Sequence, residues 1–268
     1  CAGSGSTIWC WGANGSGQLG DGTTTNRTAP VAVASIAAER VEAGGDSTCA
    51  VFPNRTVACW GANGSGQLGD GTTTSRSVPT AVGGLSDVAE VSVGHDHTCA
   101  VVGDVSAGAG TVRCWGNNDR GQLGNGTTTA SSTPVAVPGL TKVTDVAAGF
   151  GHTCAVSDQR VWCWGRNDFG QLGSDPAKTP SCGSYPCTPT PVKVEGLKDV
   201  VSITAGKDFA CALDGARHGW CWGNNEGGQA GQDPDSSGTD VGPGVVLDQV
   251  KWMATNGNTT CAVSGDKN

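Results

Sequence analysis

The chain has little of what membrane proteins and nucleic-acid-binding proteins depend on. It contains one Met, one Tyr and only 16 Lys and Arg among 268 residues. No apolar run approaches the roughly 18 residues that a membrane-spanning helix needs. The basic residues form no cluster of the kind that binds phosphates, and the formal net charge is −8. We therefore expect no membrane span and no nucleic acid partner.

Motifs for common catalytic chemistry are also missing from the sequence. There is no Gly-x-Ser-x-Gly elbow, no His-Glu-x-x-His and no Walker loop. Two of the four His, His97 and His152, hold equivalent places in neighbouring repeats. No third metal ligand is visible beside them, so we predict no metal and no cofactor.

What the chain has in abundance is repetition. A segment with Cys-Trp-Gly, a polar turn, Gly-Gln-x-Gly and a Thr-rich stretch recurs five times, at a period of roughly 50 residues. Each repeat contains four short strand patterns that are separated by Gly, Asn and Pro. Four antiparallel strands repeated radially form a β-propeller blade. The Gln residues that mark the repeats are Gln18, Gln67, Gln122, Gln171 and Gln229.

We predict one all-β propeller domain over residues 1–268, with four-stranded antiparallel blades, five of them in this chain and part of a sixth. The repeats run approximately over 1–48, 49–98, 99–153, 154–210 and 211–260, with a partial repeat at 261–268. Both ends cut a recognisable hairpin. We therefore expect the domain to be completed outside this chain, by continuation of the protein or by neighbouring subunits.

The chain is also rich in cysteine, with 13 residues. If the two Cys segments of a repeat form a hairpin with Cys49 opposite Cys59, then Val51 faces Val57. Opposed residues of this kind lie about 4.5 Å apart at Cα, which suits a disulfide. Zinc favours shorter Cys spacings, so disulfides are the preferred interpretation. The predicted pairs are Cys1–Cys10, Cys49–Cys59, Cys99–Cys114, Cys154–Cys163, Cys182–Cys187 and Cys211–Cys221, with Cys261 unpaired.

Disulfides persist in oxidising compartments, so we expect a secreted or cell-surface protein. A mature lipoprotein also begins on Cys, which leaves a lipid anchor on Cys1 as an alternative to its pairing with Cys10.

A Trp follows the second Cys of every repeat. Side chains alternate along a strand, so Trp60 points away from the face that Cys59 and Val57 share. We expect this Trp to pack between adjacent blades rather than to bind a ligand. The set is Trp11, Trp60, Trp115, Trp164 and Trp222.

The sequence Cys-Trp-Gly-Ala-Asn-Gly-Ser-Gly-Gln-Leu-Gly-Asp-Gly-Thr-Thr-Thr occurs at 10–25 and again at 59–74. With Gly-x-x-His-Thr-Cys-Ala-Val at 94–101, it resembles the regulator of chromosome condensation repeat family. The resemblance implies a β-propeller, typically of seven blades. The family includes an exchange factor for a small GTPase, a plant light receptor, bacterial enzyme inhibitors and receptor ectodomains, so it implies the fold more than the function. With a disulfide in every blade, the chain resembles the extracellular bacterial members of the family.

Candidate binding residues lie where the repeats depart from their pattern. Enlarged connections at 174–190 and 232–245 should lie on one face, together with the loops that carry His97 and His152, while the insertion at 103–110 should emerge on the other face. Loops on a rigid scaffold commonly carry binding residues. The candidates are Lys178, Tyr185, Asp233, Asp235, Asp240, His97 and His152.

Two classes of function stay open. The preferred one is a non-catalytic extracellular interaction module or surface-assembly component, which binds another extracellular protein or copies of itself. The alternative is a carbohydrate-binding or glycan-hydrolysing propeller, with a glycan as its ligand. Hydrolysis would need two carboxylates about 5–10 Å apart, and the available ones are Asp175, Asp233, Asp235 and Asp240.

Overall fold

The computed structural model describes residues 1–4, 7–33, 37–232 and 239–265, and these are strands and turns apart from one short helix. Six antiparallel sheets follow one another along the chain, and we call them blades 1 to 6. Blade 1 contains β1 (Ala2–Ser4), β2 (Thr7–Gly12) and β3 (Arg27–Ala32). Blade 2 contains β4 (Arg40–Gly44), β5 (Ser47–Val51), β6 (Val57–Gly61) and β7 (Arg76–Ala81). Blade 3 contains β8 (Val88–Val93), β9 (His97–Val102), β10 (Thr111–Gly116) and β11 (Ser131–Ala136).

Blade 4 contains β12 (Val143–Ala148), β13 (His152–Ser157), β14 (Arg160–Arg166), the two-residue β15 (Ser181–Cys182) and β16 (Tyr185–Lys193), with a 3-10 helix at Pro176–Lys178. Blade 5 contains β17 (Val200–Ala205), β18 (Phe209–Asp214), β19 (Gly219–Asn224) and β20 (Thr239–Leu247). Blade 6 contains β21 (Val250–Asn256) and β22 (Thr259–Ser264). Within the described ranges, no helix is long and apolar enough to cross a membrane.

The blades are arranged around a centre. The first strands of successive blades, β4, β8, β12 and β17, contact one another, so they form the inner wall. Strands then follow in chain order towards the outside, and blade 4 adds β15 beyond its outer strand. The predicted all-β propeller of four-stranded antiparallel blades is confirmed. Blades 2 to 6 each begin one strand before the sequence repeat, because the inner strand precedes the first Cys.

The two faces of the ring carry different connections. Antiparallel strands place successive turns at opposite ends. The turn between the first and second strands and the long connection after the third strand therefore share one face, which we call the loop face. Ala62 N–H, after β6, donates to the Asp46 carbonyl in the β4–β5 turn over 2.8 Å, which joins the two connections there. The hairpin that contains 103–110 joins β9 to β10 and lies on the opposite face, as predicted.

The hydrophobic core is divided among the spaces between blades. Cys59, Val57 and Leu68 of blade 2 pack with Val91 of blade 3, and Trp115 closes the same cluster. Equivalent clusters join each of the other neighbouring pairs. A buried Trp removes about 150–250 Å² from water, an upper-bound contribution of about 4–6 kcal/mol at each joint.

The disulfides pair as the hairpin register predicts. Cys49 lies opposite Cys59 and Val51 opposite Val57. Four bonds cross the second and third strands of blades 2 to 5, and Cys1–Cys10 is the equivalent bond of blade 1; each of these has a Cα–Cα distance of 4.1 Å. Cys182–Cys187 closes the β15–β16 hairpin, and Cys261 is a free, exposed cysteine on β22.

The prediction for the Trp set is right for four residues and wrong for one. Trp60, Trp115, Trp164 and Trp222 are fully buried, whereas Trp11 is 48 % exposed. The buried ones each insert against the Gly-Gln-x-Gly segment of the preceding blade. Trp11 belongs to the first sheet, and no preceding blade covers it among the described residues.

Candidate functional site

The loop face is held in place by a joint that repeats between blades. Trp115 Nε1 and Thr98 Oγ1, both in blade 3, donate to the carbonyl of Gln67 in blade 2, each over 2.9 Å. The side chain of Gln67 accepts a hydrogen bond from the N–H of Ser65 within its own turn. Glycine is required next to this joint, because a Cβ at Gly69 would lie 2.8 Å from the indole nitrogen. The blade joint thus fixes the loop turns directly.

The long connections on this face are each built around a buried Asn. Asn63 Oδ1 accepts from Leu68 N–H over 3.0 Å, and its Nδ2 donates to the carbonyls of Thr72 and Thr74. The same arrangement surrounds Asn14, Asn118 and Asn167. These bonds keep the connections rigid without regular secondary structure.

His97 and His152 lie inside the protein, so the prediction that they belong to exposed binding loops is wrong. Both side chains are fully buried. His97 Nε2 lies 2.8 Å from Thr153 Oγ1 of the next blade. Burial lowers the pKa of His97 to about 3 and that of His152 to about 4. The described residues contain no group of three or more potential metal ligands. Both His therefore belong to the blade joints.

The inner wall carries a charged row. Arg40, Glu90 and Asp145 occupy matching positions on β4, β8 and β12. Asp145 Oδ2 accepts from Ile203 N–H in blade 5 over 2.9 Å. Burial and the neighbouring Asp145 raise the pKa of Glu90 above its usual range, and burial raises that of Asp145. Burial and the repulsion between the two carboxylates therefore favour the protonated form of Glu90.

The enlarged connection of blade 4 places Tyr185 on the loop face. The ring is 41 % exposed and lies beside the Cys182–Cys187 bond. Lys178 is exposed at the end of the 3-10 helix, and its Nζ lies 3.5 Å from Asp175 Oδ2. Asp175 caps that helix by accepting from Ala177 N–H. Tyr185 is thus held firmly, while the Asp175 carboxylate is engaged in capping.

Tyr185 contacts two guanidinium groups from different blades. The Arg120 guanidinium carbon lies 3.6 Å from the centre of the Tyr185 ring, and that of Arg166 lies 5.9 Å away. Arg166 also binds Asp168 over 2.7 Å and Asp208 of blade 5 over 3.1 Å. Three blades therefore meet around one exposed aromatic ring.

A second exposed aromatic side chain, Phe150, extends this surface towards the centre of the propeller. Phe150 is 38 % exposed, and its ring lies 4.3 Å from that of His95 in blade 3. Lys207 Nζ of blade 5 lies 5.9 Å from the Phe150 ring. A Cβ built on Gly151, next to Phe150, would lie 3.5 Å from Arg166 and 3.8 Å from Arg120, so the two groups adjoin each other. We call this surface the aromatic patch: Arg120, Phe150, Arg166, Tyr185 and Lys207.

The remaining candidates lie elsewhere. Asp233 and Asp235 are outside the described residues. For Asp240 only the backbone is described, as part of β20 opposite Gly223. The prediction that this second enlarged connection helps to form a site therefore stays a prediction.

The family assignment follows from the repeats themselves. The pattern of the regulator of chromosome condensation (RCC1) repeat matches residues 6–51, 56–101, 109–156 and 158–213, and a second pattern of the same repeat matches 143–171. These segments cover most of the chain. The chain belongs to the RCC1 repeat family.

Curated relatives share this repeat but are much longer. Human E3 ubiquitin-protein ligase HERC2 is 32 % identical over 148 residues, which is 52 % of this chain and 3 % of that protein. The zebrafish (Danio rerio) protein RCC2 homolog is 28 % identical over 155 residues, 57 % of this chain and 30 % of that protein. The chain therefore spans less than a third of either relative.

Solved structures of other proteins have the same fold. Yeast RCC1 (Prp20), in a complex with Kap60, superposes with a TM-score of 0.81 at 19 % identity, covering 98 % of this chain and 63 % of that one. Human WBSCR16 gives 0.80 at 21 % identity, covering 96 % and 67 %. At this level of identity the likeness concerns the fold alone.

Sequence reasoning found Tyr185 and missed most of its neighbours. The missed residues are the ones that break the RCC1 repeat: Arg120 stands where two earlier repeats have Ser, and Arg166 where they have Ala. Phe150 stands where blade 2 has Gly45. A column-by-column comparison of the repeats would have identified them as departures, although not as one surface.

Proposed function

We propose that this RCC1-repeat propeller is a non-catalytic extracellular interaction module, and that it binds a protein partner, or a second copy of itself, through the aromatic patch. The single observation that carries the proposal is the patch, in which exposed aromatic rings and guanidinium groups from three blades are fixed by a rigid frame. Tyr and Arg are enriched among the residues that dominate binding energy in protein interfaces.

The rigidity of the frame supports this function. Tyr185 lies next to a disulfide, and Arg166 is held by two carboxylates. The turns of blades 3 and 4 are joined by His95 N–H and the Gly149 carbonyl, and those of blades 4 and 5 by Phe150 N–H and the Lys207 carbonyl, each at 3.2 Å. Groups that are already ordered lose little conformational entropy on binding. A surface of this kind is suited to a partner that docks without large rearrangement.

The six disulfides support an oxidising location. Protein binding is also a theme among relatives: one structure shows yeast RCC1 bound to Kap60, and another concerns the binding of Prp20p to Gsp1p and histones. Those partners belong to those proteins. The extracellular partner of this chain is to be identified by experiment.

The test first captures a partner protein and then measures its binding with purified components. The immobilised chain is incubated with the extracellular fraction of its source, bound proteins are identified by mass spectrometry, and the leading one is purified. Its Kd is then measured for the wild-type chain and for a Phe150→Ser, Tyr185→Ser double variant, with self-association measured in parallel by sedimentation. We expect at least a tenfold weaker Kd for the double variant.

The matched control is Lys198→Ala. Lys198 is exposed and lies in the connection from β16 to β17 on the opposite face, next to Leu197, whose carbonyl binds Arg160. It should leave the Kd unchanged. A double variant that binds as tightly as the wild type, with Lys198→Ala weaker, would contradict the proposed surface.

A further inference from the structure

We infer that the Cys182–Cys187 disulfide is a redox-modification site on the loop face. A dithiol reduces this bond before it reduces the cross-strand disulfides of blades 2 to 5, and the reduction releases Tyr185 from Arg120. The inference concerns the regulation of the proposed binding surface, so it rests on the proposed function.

Exposure distinguishes this bond from the cross-strand disulfides of blades 2 to 5. In those bonds both cysteines of every pair are fully buried. Cys187 is fully buried too, but Cys182 is partly exposed and lies between two exposed residues, Ser181 and Gly183. A thiolate must reach one sulfur of a disulfide to reduce it, so the exposure of Cys182 favours attack at this bond.

The bond also lies outside the four-stranded frame of blade 4. β15 is an additional two-residue strand beyond the outer strand β16. The frame keeps its own bond, Cys154–Cys163, between β13 and β14. Cys187 stays in β16 through its pairing with Arg166 and through the hydrogen bond from its N–H to the Pro180 carbonyl at 2.8 Å. Reduction therefore leaves the blade folded and acts on the hairpin alone.

The disulfide fixes Tyr185 over blade 3. Tyr185 lies within the short segment that the bond closes, and it pairs with Cys182 across the hairpin. Cys182 Sγ lies 4.0 Å from the Arg120 carbonyl, and the Tyr185 ring lies on the guanidinium of the same Arg120. A strand of two residues contributes few hydrogen bonds, and a two-stranded hairpin is marginally stable by itself. The covalent bond is thus the main constraint on the hairpin, and its loss lets Tyr185 leave Arg120.

The reaction is a thiol–disulfide exchange with a dithiol as the reductant. One thiolate of the dithiol attacks Cys182 Sγ, the bond between the two protein sulfurs breaks, and its electron pair leaves on Cys187 Sγ, which takes up a proton. The second thiolate then attacks the sulfur of the first, and Cys182 Sγ leaves and is protonated. The protein gains two electrons and two protons, and the dithiol becomes a disulfide. A disulfide of higher reduction potential reverses the reaction.

The test follows the cysteines and Tyr185 in the same sample. Because Tyr185 is the only Tyr of the chain, incorporated 3-fluorotyrosine gives one ¹⁹F resonance, which reports on its ring. The chain is treated with dithiothreitol, the thiols are trapped with iodoacetamide at successive times, and mass spectrometry gives the alkylated fraction of each cysteine. Cys261, which is free from the start, serves as the internal reference.

We expect Cys182 and Cys187 to be alkylated at least tenfold faster than the buried cysteines of the cross-strand bonds in blades 2 to 5. The ¹⁹F resonance should change at the same rate to the narrower line of a mobile ring, and glutathione disulfide should restore the original resonance. Far-UV circular dichroism should stay unchanged, since the blades remain folded. The reduced chain should bind the captured partner at least fivefold more weakly.

Two variants serve as controls. Cys182→Ala combined with Cys187→Ala should show the narrow resonance without reductant and no further change with it. Cys1→Ala removes the other bond that has an exposed cysteine, and this bond lies in blade 1, whereas the aromatic patch belongs to blades 3 to 5. It should leave the ¹⁹F resonance and its response to dithiothreitol unchanged.

Three outcomes would overturn the redox site: equal alkylation rates for Cys182 and the buried cysteines, a ¹⁹F resonance that does not change on reduction, or a double Ala variant that still responds to dithiothreitol. The proposed function fails separately. If reduction leaves the Kd unchanged while the Phe150→Ser, Tyr185→Ser variant weakens binding, the module stands and its redox regulation falls. If that variant binds normally, the binding surface falls, while selective alkylation of Cys182 and Cys187 still supports the redox site.

Discussion

Replacing Thr153 with Val tests the blade joint at its most connected point. The buried hydroxyl of Thr153 donates to the Gln122 carbonyl over 2.9 Å and lies 2.8 Å from His97 Nε2. Because its only proton is used by the carbonyl, the hydroxyl oxygen accepts, and His97 must donate from Nε2. Val has nearly the same shape without the hydroxyl, so both bonds are lost and no cavity forms.

The cost can be worked out group by group. The Gln122 carbonyl keeps a second donor, Trp164 Nε1 at 2.9 Å, so it is not left unpaired. His97 N–H is left buried without an acceptor, at a cost of about 1–3 kcal/mol. With the lost carbonyl bond, we expect a decrease of about 2–3 kcal/mol in the free energy of unfolding. For a chain of this length that lowers Tm by about 5–10 °C.

The assay is urea denaturation followed by tryptophan fluorescence, with the disulfides intact. Thr98→Val is the matched control, because Thr98 is buried in the same way and donates to the Gln67 carbonyl over 2.9 Å without a His partner. It should cost about 1 kcal/mol. Equal costs for the two variants, or a neutral Thr153→Val, would refute the assignment of the His97 hydrogen bond.

Three further predictions concern titration and redox state. Burial lowers the pKa of His152, so the unfolded chain binds more protons than the folded chain below about pH 6.5, and the free energy of unfolding falls towards pH 4. His152→Phe, which copies Phe209 at the same position of the next blade, should make that fall smaller when urea denaturation is measured across this pH range. Burial and Asp145 raise the pKa of Glu90, so its stabilising contribution is present below the usual pKa of Glu and is lost as the pH rises through the raised value; Glu90→Gln should flatten the dependence of the free energy of unfolding on pH over that range, and equal slopes would argue against the raised pKa. Cys261 should react as one thiol per native chain with a maleimide, and mass spectrometry showing two or more would contradict the six disulfides.

Most of the fold could be predicted from the sequence, because two constraints act together. Strand alternation has a period of two, and a cross-strand disulfide fixes which residues face each other. Together they set the Cys49–Cys59 register and the side on which Trp60 points, and the structure agrees on both. The exposure of Trp11 could not be inferred in the same way, because the sequence around Trp11 is the same as that around Trp60 and only the neighbouring blade differs.

The candidate site was less accessible to sequence reasoning. His97 stands in a polar loop sequence, yet the turn packs against the next blade and buries it. Arg120 and Tyr185 are far apart in sequence and meet only because blades 3 and 4 are adjacent and the β15–β16 hairpin folds back over the turn of blade 3. Contacts between blades depend on the curvature of the ring, and no local pattern records that curvature.

The most direct test of the account is site-specific photocrosslinking on the two faces. Benzoylphenylalanine is placed at Tyr185 in one chain and at Lys198 in another, and each is irradiated with the protein identified by capture. The account predicts a covalent adduct from position 185, reduced by an excess of wild-type chain, and none from position 198. Adducts from position 198 alone, or equal adducts from both positions, would contradict the claim that the aromatic patch is the binding surface.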